Sequence, residues 1–263
     1  MIRVGIGGWT FAPWRGTFYP AGLRQADELA FASSKLTSIE INGTFYRTQS
    51  AASFAKWRDQ TPDDFVFSVK GHRSVVNKSK LAEAKESVDW FLGSGIMELG
   101  DKLGPILWQL APFKRFDPED IAAFFSLLPK KLAGRELQHV IEPRHESFRT
   151  AAFVQLARDA GISIAKADST KYLSIDDLTG SVVYARLQNA AEDEPLGYSA
   201  TELDQWAIRA GDWEGGKPVA GAPLLTTATP PRDRPVFIYM INGAKERAPA
   251  AAQAMIERVT KRM

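Results

Sequence analysis

Eight short β-rich runs recur along this chain with helix-like segments between most of them, and that alternation constrains the fold more than any other feature. The runs are "IRVGIGG" (2–8), "SIEIN" (38–42), "FVFSVKG" (65–71), "GPILWQL" (104–110), "HVIEPR" (139–144), "SIAKAD" (163–168), "VVYARLQ" (182–188) and "VFIYMIN" (236–242). Helix patterns fill 26–35, 50–60, 80–99, 117–129, 149–161, 199–211 and 248–263. Ser50 is a fitting N-cap, Asp117 caps a helix with Pro118 at its first position, and Gly161 is a C-terminal stop. The connection 169–181 has the weakest helix signal. Strands alternating with helices predict parallel pairing. Eight even units favour a closed (β/α)8 TIM barrel over an open doubly wound sheet. No G-x-G-x-x-G follows the first strand, which weakens a dinucleotide-binding reading.

At 263 residues, 44% hydrophobic and 24% charged, the chain reads as one soluble globular domain spanning 1–263. A net charge of +2 is too small to argue nucleic-acid or membrane binding. With no cysteine, disulfides, thiolate catalysis and cysteine-held metals are excluded. The first run begins at once and resembles no signal peptide, and no apolar run reaches membrane-span length, so a cytoplasmic protein with no membrane partner is expected. A monomer is the expected state.

Side chains alternate between faces along a strand. Near the C-terminal ends of seven runs this phase gathers Glu40 and Asn42, Ser68 and Lys70, Gln109, Glu142 and Arg144, Lys166 and Asp168, Arg186, and Asn242. In a closed barrel this reading puts those groups inside, at the rim where such barrels carry their sites. Burying unpaired charge is costly, so the expected ring is either a functional pocket or a structural ion network.

The chain also resembles a known family. "GGWTFAPWRGTFYP", "SIEINGTFYR", "FVFSVKGHR", "LGPILWQLAPFKRFD" and "EPRHESF" are similar to separated motifs of the YecE-like group, a bacterial and archaeal domain of unknown function. The resemblance runs from Gly5 to about Ala254 and implies a TIM barrel over the whole length. It implies no activity. The chain departs from the family pattern at Val76–Asn77, Gln188–Asn189 and Ile241, mostly near strand ends.

Three readings of the ring remain open, and catalysis is not decided among them. In the first, Lys70, Arg73, Arg144 and Arg186 hold an anionic or phosphorylated ligand, with Glu40, Glu142 and Asp168 as candidate acids or bases. Trp9, Asn42, Tyr46, Gln109, His145 and Asn242 complete that expected lining. In the second, Glu40, Glu142, His145 and Asp168 hold a divalent metal; otherwise no cofactor is expected. In the third, a non-catalytic module, the basic rim and the aromatics Trp9, Trp14, Phe45, Tyr46 and Phe148 stack on nucleic-acid bases or sugars. The Pro- and Gly-rich stretch 211–235 is expected as a loop at the opposite end of the barrel.

Overall fold

The computed structural model describes residues 1–262. Its main sheet is all parallel, and each strand pairs with its neighbours in sequence order. The strands are Ile2–Gly7, Ser38–Ile41, Val66–Lys70, Leu103–Gln109, His139–Glu142, a sixth split into Ser163–Ile164 and Lys166–Asp168, Val183–Leu187 and Val236–Met240. The split sixth strand raises the segment count to nine and closes the ring. Ser163–Ile164 pairs with the fifth strand and Lys166–Asp168 with the seventh. The first strand pairs with the eighth, Ile2 opposite Val236. The expected (β/α)8 barrel is the observed fold. Gly5 fits where the first two strands meet because a Cβ there would lie 1.8 Å from the Ser38 carbonyl oxygen.

Two apolar layers hold the barrel. Leu107, Val140, Ala165, Val182, Tyr184, Phe237, Tyr239 and Ile241 fill the lumen. A larger outer layer, including Ile39, Phe67, Trp108 and Ile141, packs the strands against the helices. Burying each large apolar side chain contributes roughly 1.5–3 kcal/mol. Both faces of every strand are therefore covered.

The helices Glu28–Lys35, Ala51–Asp59, Lys85–Leu92, Pro118–Leu127, Ala151–Ala160, Ala200–Glu214 and Ala248–Arg262 lie between or after strands. Ser50 accepts the Ser53 N–H, Asp117 accepts those of Glu119 and Asp120, and Gly161 ends its helix at φ 73°. The helix expected over 80–99 is broken. Only Lys85–Leu92 is α-helical, and Gly95 turns the chain at φ 106°. A small hairpin, Lys131–Leu132 with Arg135–Glu136, was not legible in the pattern.

No helix joins the sixth strand to the seventh. The loop 169–181 covers that flank together with part of 215–235. Asp177 accepts hydrogen bonds from Leu225 N at 2.8 Å and Thr226 N at 3.1 Å, as well as from Thr226 Oγ1. Arg232 and Arg234 donate to the Gly180 carbonyl. The long stretch thus does not stay at the bottom of the barrel: Val219–Pro223 reaches a cleft shared with Asp168 and Ser169. A sheet face lacking its helix still has to be covered. Among the described residues, no helix is long and apolar enough to cross a membrane.

Candidate functional site

Strand phase places Glu40, Lys70, Gln109, Glu142 and Arg186 at the C-terminal end of the lumen. Arg186 is 2% exposed and reaches across it. Its Nε and Nη2 donate to the two oxygens of Glu40, each at 3.0 Å, and its Nη1 donates to Glu142 Oε2 at 2.7 Å. A planar guanidinium suits this forked contact. The Tyr184 hydroxyl, one pleat below Arg186, also donates to Glu40 at 2.6 Å and lies 2.6 Å from Ser68 Oγ. Gln109 donates to Glu142 at 2.7 Å and Arg144 does so at 3.1 Å. The Arg144 guanidinium in turn lies 4.0 Å from the centre of the Tyr172 ring. Charges from three strands, or the loops just after them, are joined in one network.

The network fixes protonation. Burial opposes charge on Glu142, but Arg186, Arg144, Gln109 and Lys70 outweigh it and hold its pKa below the ordinary range. Burial also opposes charge on Arg186, yet Glu142 and Glu40 raise its pKa further. Lys70 differs: desolvation first, then the Arg186 charge, lower it to about 8 despite Glu40 and Glu142. Its Nζ makes no hydrogen bond or ion pair among the described residues. It sits 4.4 Å from the centre of the Phe45 ring. Three cations thus face two carboxylates, and Lys70 is the one without an oxygen partner.

Other expected site residues lie elsewhere. Asp168 does not face the lumen. Its carboxylate accepts Asn189 Nδ2 at 2.8 Å and the Tyr198 hydroxyl at 3.2 Å, outside the barrel, and burial raises its pKa. Lys166 points to the same flank, where its ammonium donates to the carbonyls of Ile175 and Asp177 at 2.8 and 3.1 Å. Ala165, between them, packs in the lumen. The polar side of this strand turns outward because a polar loop, not an apolar helix, covers it. Asn242 is also out of phase: Ile241 fills the lumen, and Asn242 is exposed.

Trp9 packs on Trp57 at 4.9 Å, against the outer layer, so it is an anchor rather than a wall of the mouth. His145 caps the 3-10 turn Glu146–Phe148, and its Nδ1 accepts the Ser147 N–H. Asn42 stands at the mouth beside Gly7. Arg73 is exposed on the rim and Tyr46 is 67% exposed. Sequence reading missed Tyr184 and Tyr172; alternation with Arg186 was the available signal for Tyr184.

Two of the three readings lose their geometry. The proposed metal ligands Glu40, Glu142, His145 and Asp168 are not gathered. Arg186 lies between the first two, and no group of three or more possible ligands forms among the described residues. The aromatic platform does not assemble either, since Trp14 and Phe148 are fully buried.

The model of the family described as "Protein of unknown function DUF72" matches residues 3–263. The chain is 27% identical to the UPF0759 protein YecE of Escherichia coli K12 over 148 residues, 56% of this chain and 50% of that one. It is 28% identical to the UPF0759 protein YunF of Bacillus subtilis over 127 residues, 46% and 44% of the two chains. The match therefore spans about half the length of these curated relatives. A crystal structure of a DUF72 family protein from Thermotoga maritima superposes with a TM-score of 0.74 at 20% identity, covering 99% of both chains. One from Enterococcus faecalis gives 0.72 at 16% identity, covering 99% of this chain and 96% of the other. At such identities the likeness speaks for the fold.

Proposed function

We propose, for a chain that belongs to the DUF72 family of proteins of unknown function, that the barrel mouth binds a small anion, most simply a phosphate group. The carrying observation is Lys70. Its ammonium is buried among charges yet has no oxygen partner, while both carboxylates already have partners. A ligand anion would supply the missing oxygen and balance the surplus cation.

Arg144 is the second contact. Only its Nε is bound to Glu142, which leaves the far edge of its guanidinium for a ligand. Gln109 and Arg186 are positioning groups here, because their donors already hold Glu142 and Glu40. Arg73 on the rim would attract the anion before it docks. The roles proposed for Asp168 and Asn242 at this mouth lapse with their orientation. Whether the phosphate belongs to a metabolite or to a larger molecule is a separate question from the charge that recognises it.

Thermal-shift titration with phosphate and sulfate tests the reading. The wild type should be stabilised by either anion, and Arg144→Ala and Lys70→Ala should each lose most of that effect. Arg186→Ala is the wrong control because it breaks the network itself. Absence of anion-dependent stabilisation in wild type, or a shift in both variants equal to that of the wild type, overturns the proposal.

A further inference from the structure

The buried lysines of this protein divide into two kinds. Lys102 Nζ donates to the Arg58 and Thr61 carbonyls and lies within reach of Thr61 Oγ1. Lys166 Nζ donates to two carbonyls, and the half-buried Lys114 donates through Nζ to Asp120 and the Ser79 carbonyl. Each of these ammonium groups is held by oxygen, which opposes loss of its proton and leaves its nitrogen engaged, although burial still lowers Lys166 to about 8. Lys70 is 9% exposed and has only the Phe45 ring beneath it, with Arg186 and Arg144 among its charged neighbours. Its nitrogen is not among the side-chain atoms sealed from solvent without a partner, so it retains access to the mouth. It projects from the C-terminal end of a barrel strand, where a ligand would arrive.

A lysine that lies over a π face, with Glu40 and Glu142 nearby but hydrogen-bonded to other donors and with Arg186 and Arg144 repelling it, is poorly suited to a structural ion pair. It is well suited to nucleophilic chemistry, which needs the free amine. From this geometry we infer that Lys70 condenses with the carbonyl group of a small aldehyde or ketone to form an imine. The inference rests on the anion-binding reading for one part only: the anionic group of that carbonyl compound would lie against Arg144.

The step balances without an added oxidant or reductant. The ammonium first loses a proton to water. The amine lone pair then forms a C–N bond to the carbonyl carbon while the C=O π pair moves to oxygen; the oxygen takes up a proton and the nitrogen gives one up to water, which restores its lone pair. The resulting carbinolamine loses its hydroxyl as water after a second protonation, and the nitrogen lone pair closes the C=N bond. The product is an iminium, and the new cation remains beside Glu40 and Glu142, whose charges favour it. The depression of Lys70 to about 8 supplies a substantial amine fraction near neutral pH.

The test is reductive trapping of the full chain at pH 7.5 with cyanoborohydride, followed by peptide mapping. The probes are glycolaldehyde, which is uncharged, and glycolaldehyde phosphate. Glycolaldehyde should label Lys70 at least about ten-fold faster than the exposed Lys56 and Lys80, because an ordinary lysine holds far less free amine at this pH. Glycolaldehyde phosphate should label Lys70 faster still, and Arg144→Ala should remove that advantage alone. Lys70→Arg should abolish labelling at this position, while an unchanged far-UV circular dichroism spectrum shows that the fold persists. Labelling of Lys70 no faster than Lys56 by glycolaldehyde overturns the inference, whatever phosphate does. Fast glycolaldehyde labelling without a phosphate advantage upholds the nucleophile and overturns the anion reading instead.

Discussion

At the mouth, Arg186 meets Glu40 and Glu142 across the lumen, and each charge is answered by a side chain from another strand. On the outer flank of the sixth strand, Lys166 meets main-chain carbonyls and Asp168 meets an amide and a phenol. The first arrangement couples ions in a water-poor space. The second neutralises or solvates them one at a time beside a cleft of about 430 Å³ that also admits Trp206 and Arg209. The lesson is that burial alone does not make a charge functional: the mouth has a surplus cation, whereas the flank has a loop built around its charges.

The largest expected effect is at the centre of the mouth. Arg186→Met should cost about 3–5 kcal/mol in urea denaturation, because the buried Glu40 loses its one ion-pair partner among the described residues. A cost below about 1 kcal/mol would mean that the network is not a coupled unit. On the flank, Asp177→Ala should cost about 2–3 kcal/mol, since two main-chain amides and the Thr226 hydroxyl lose their acceptor. It should also open 215–235 to limited proteolysis. An unchanged digestion pattern would show that this loop does not depend on Asp177.

The two depressed lysines sharpen the contrast. Lys166→Met should destabilise by about 1–2 kcal/mol, since the Ile175 and Asp177 carbonyls lose their donor. Lys70→Met should stay within about 1 kcal/mol of wild type or exceed it, because no oxygen loses a partner. Both lysines titrate at about 8 in the fold against 10.5 ordinarily. Across that window the unfolded chain binds more protons, so each lysine makes stability rise with pH. Each variant should remove its own share of the rise in melting temperature between those pH values. Equal costs for the two variants at neutral pH would erase the distinction.

The smallest effect concerns Asp168. Burial raises its pKa in the fold, so the folded chain binds the extra proton and this group's contribution is lost as pH rises through that raised value. Asp168→Asn should change stability by less than about 1 kcal/mol at neutral pH and steepen the rise of stability with pH on the acid limb, because it removes a contribution that falls as pH rises. It should leave the phosphate-dependent thermal shift untouched. A lost shift would place Asp168 in the mouth's function after all.

Much of this architecture was readable in advance. The strands, most helices, the Ser50, Asp117 and Gly161 boundaries, and the position of Glu40, Lys70, Gln109, Glu142 and Arg186 on one face follow from local chemistry. The broken helix at 80–99 did not, because the amphipathic pattern runs on past the cap at Gly93 and the turn at Gly95. Tyr172 was hidden because it lies in a loop whose path depends on contacts with distant residues.

The alternation of strands and helices by itself determined a parallel sheet covered on both faces, and the eight even units favoured its closure over an open sheet. Period two likewise determined which residues share a face. It could not say which face is inside, because in a barrel both are buried. Tertiary structure decided that for Asp168, Lys166 and Asn242. The loop over the sixth strand offered oxygen and amide partners on the outside, while Tyr184, Arg186 and Ile241 filled the lumen. It also decided that Arg186 is a structural bridge and Lys70 the unpaired charge, because a charge's partner is set by what stands across the barrel, which no local pattern encodes.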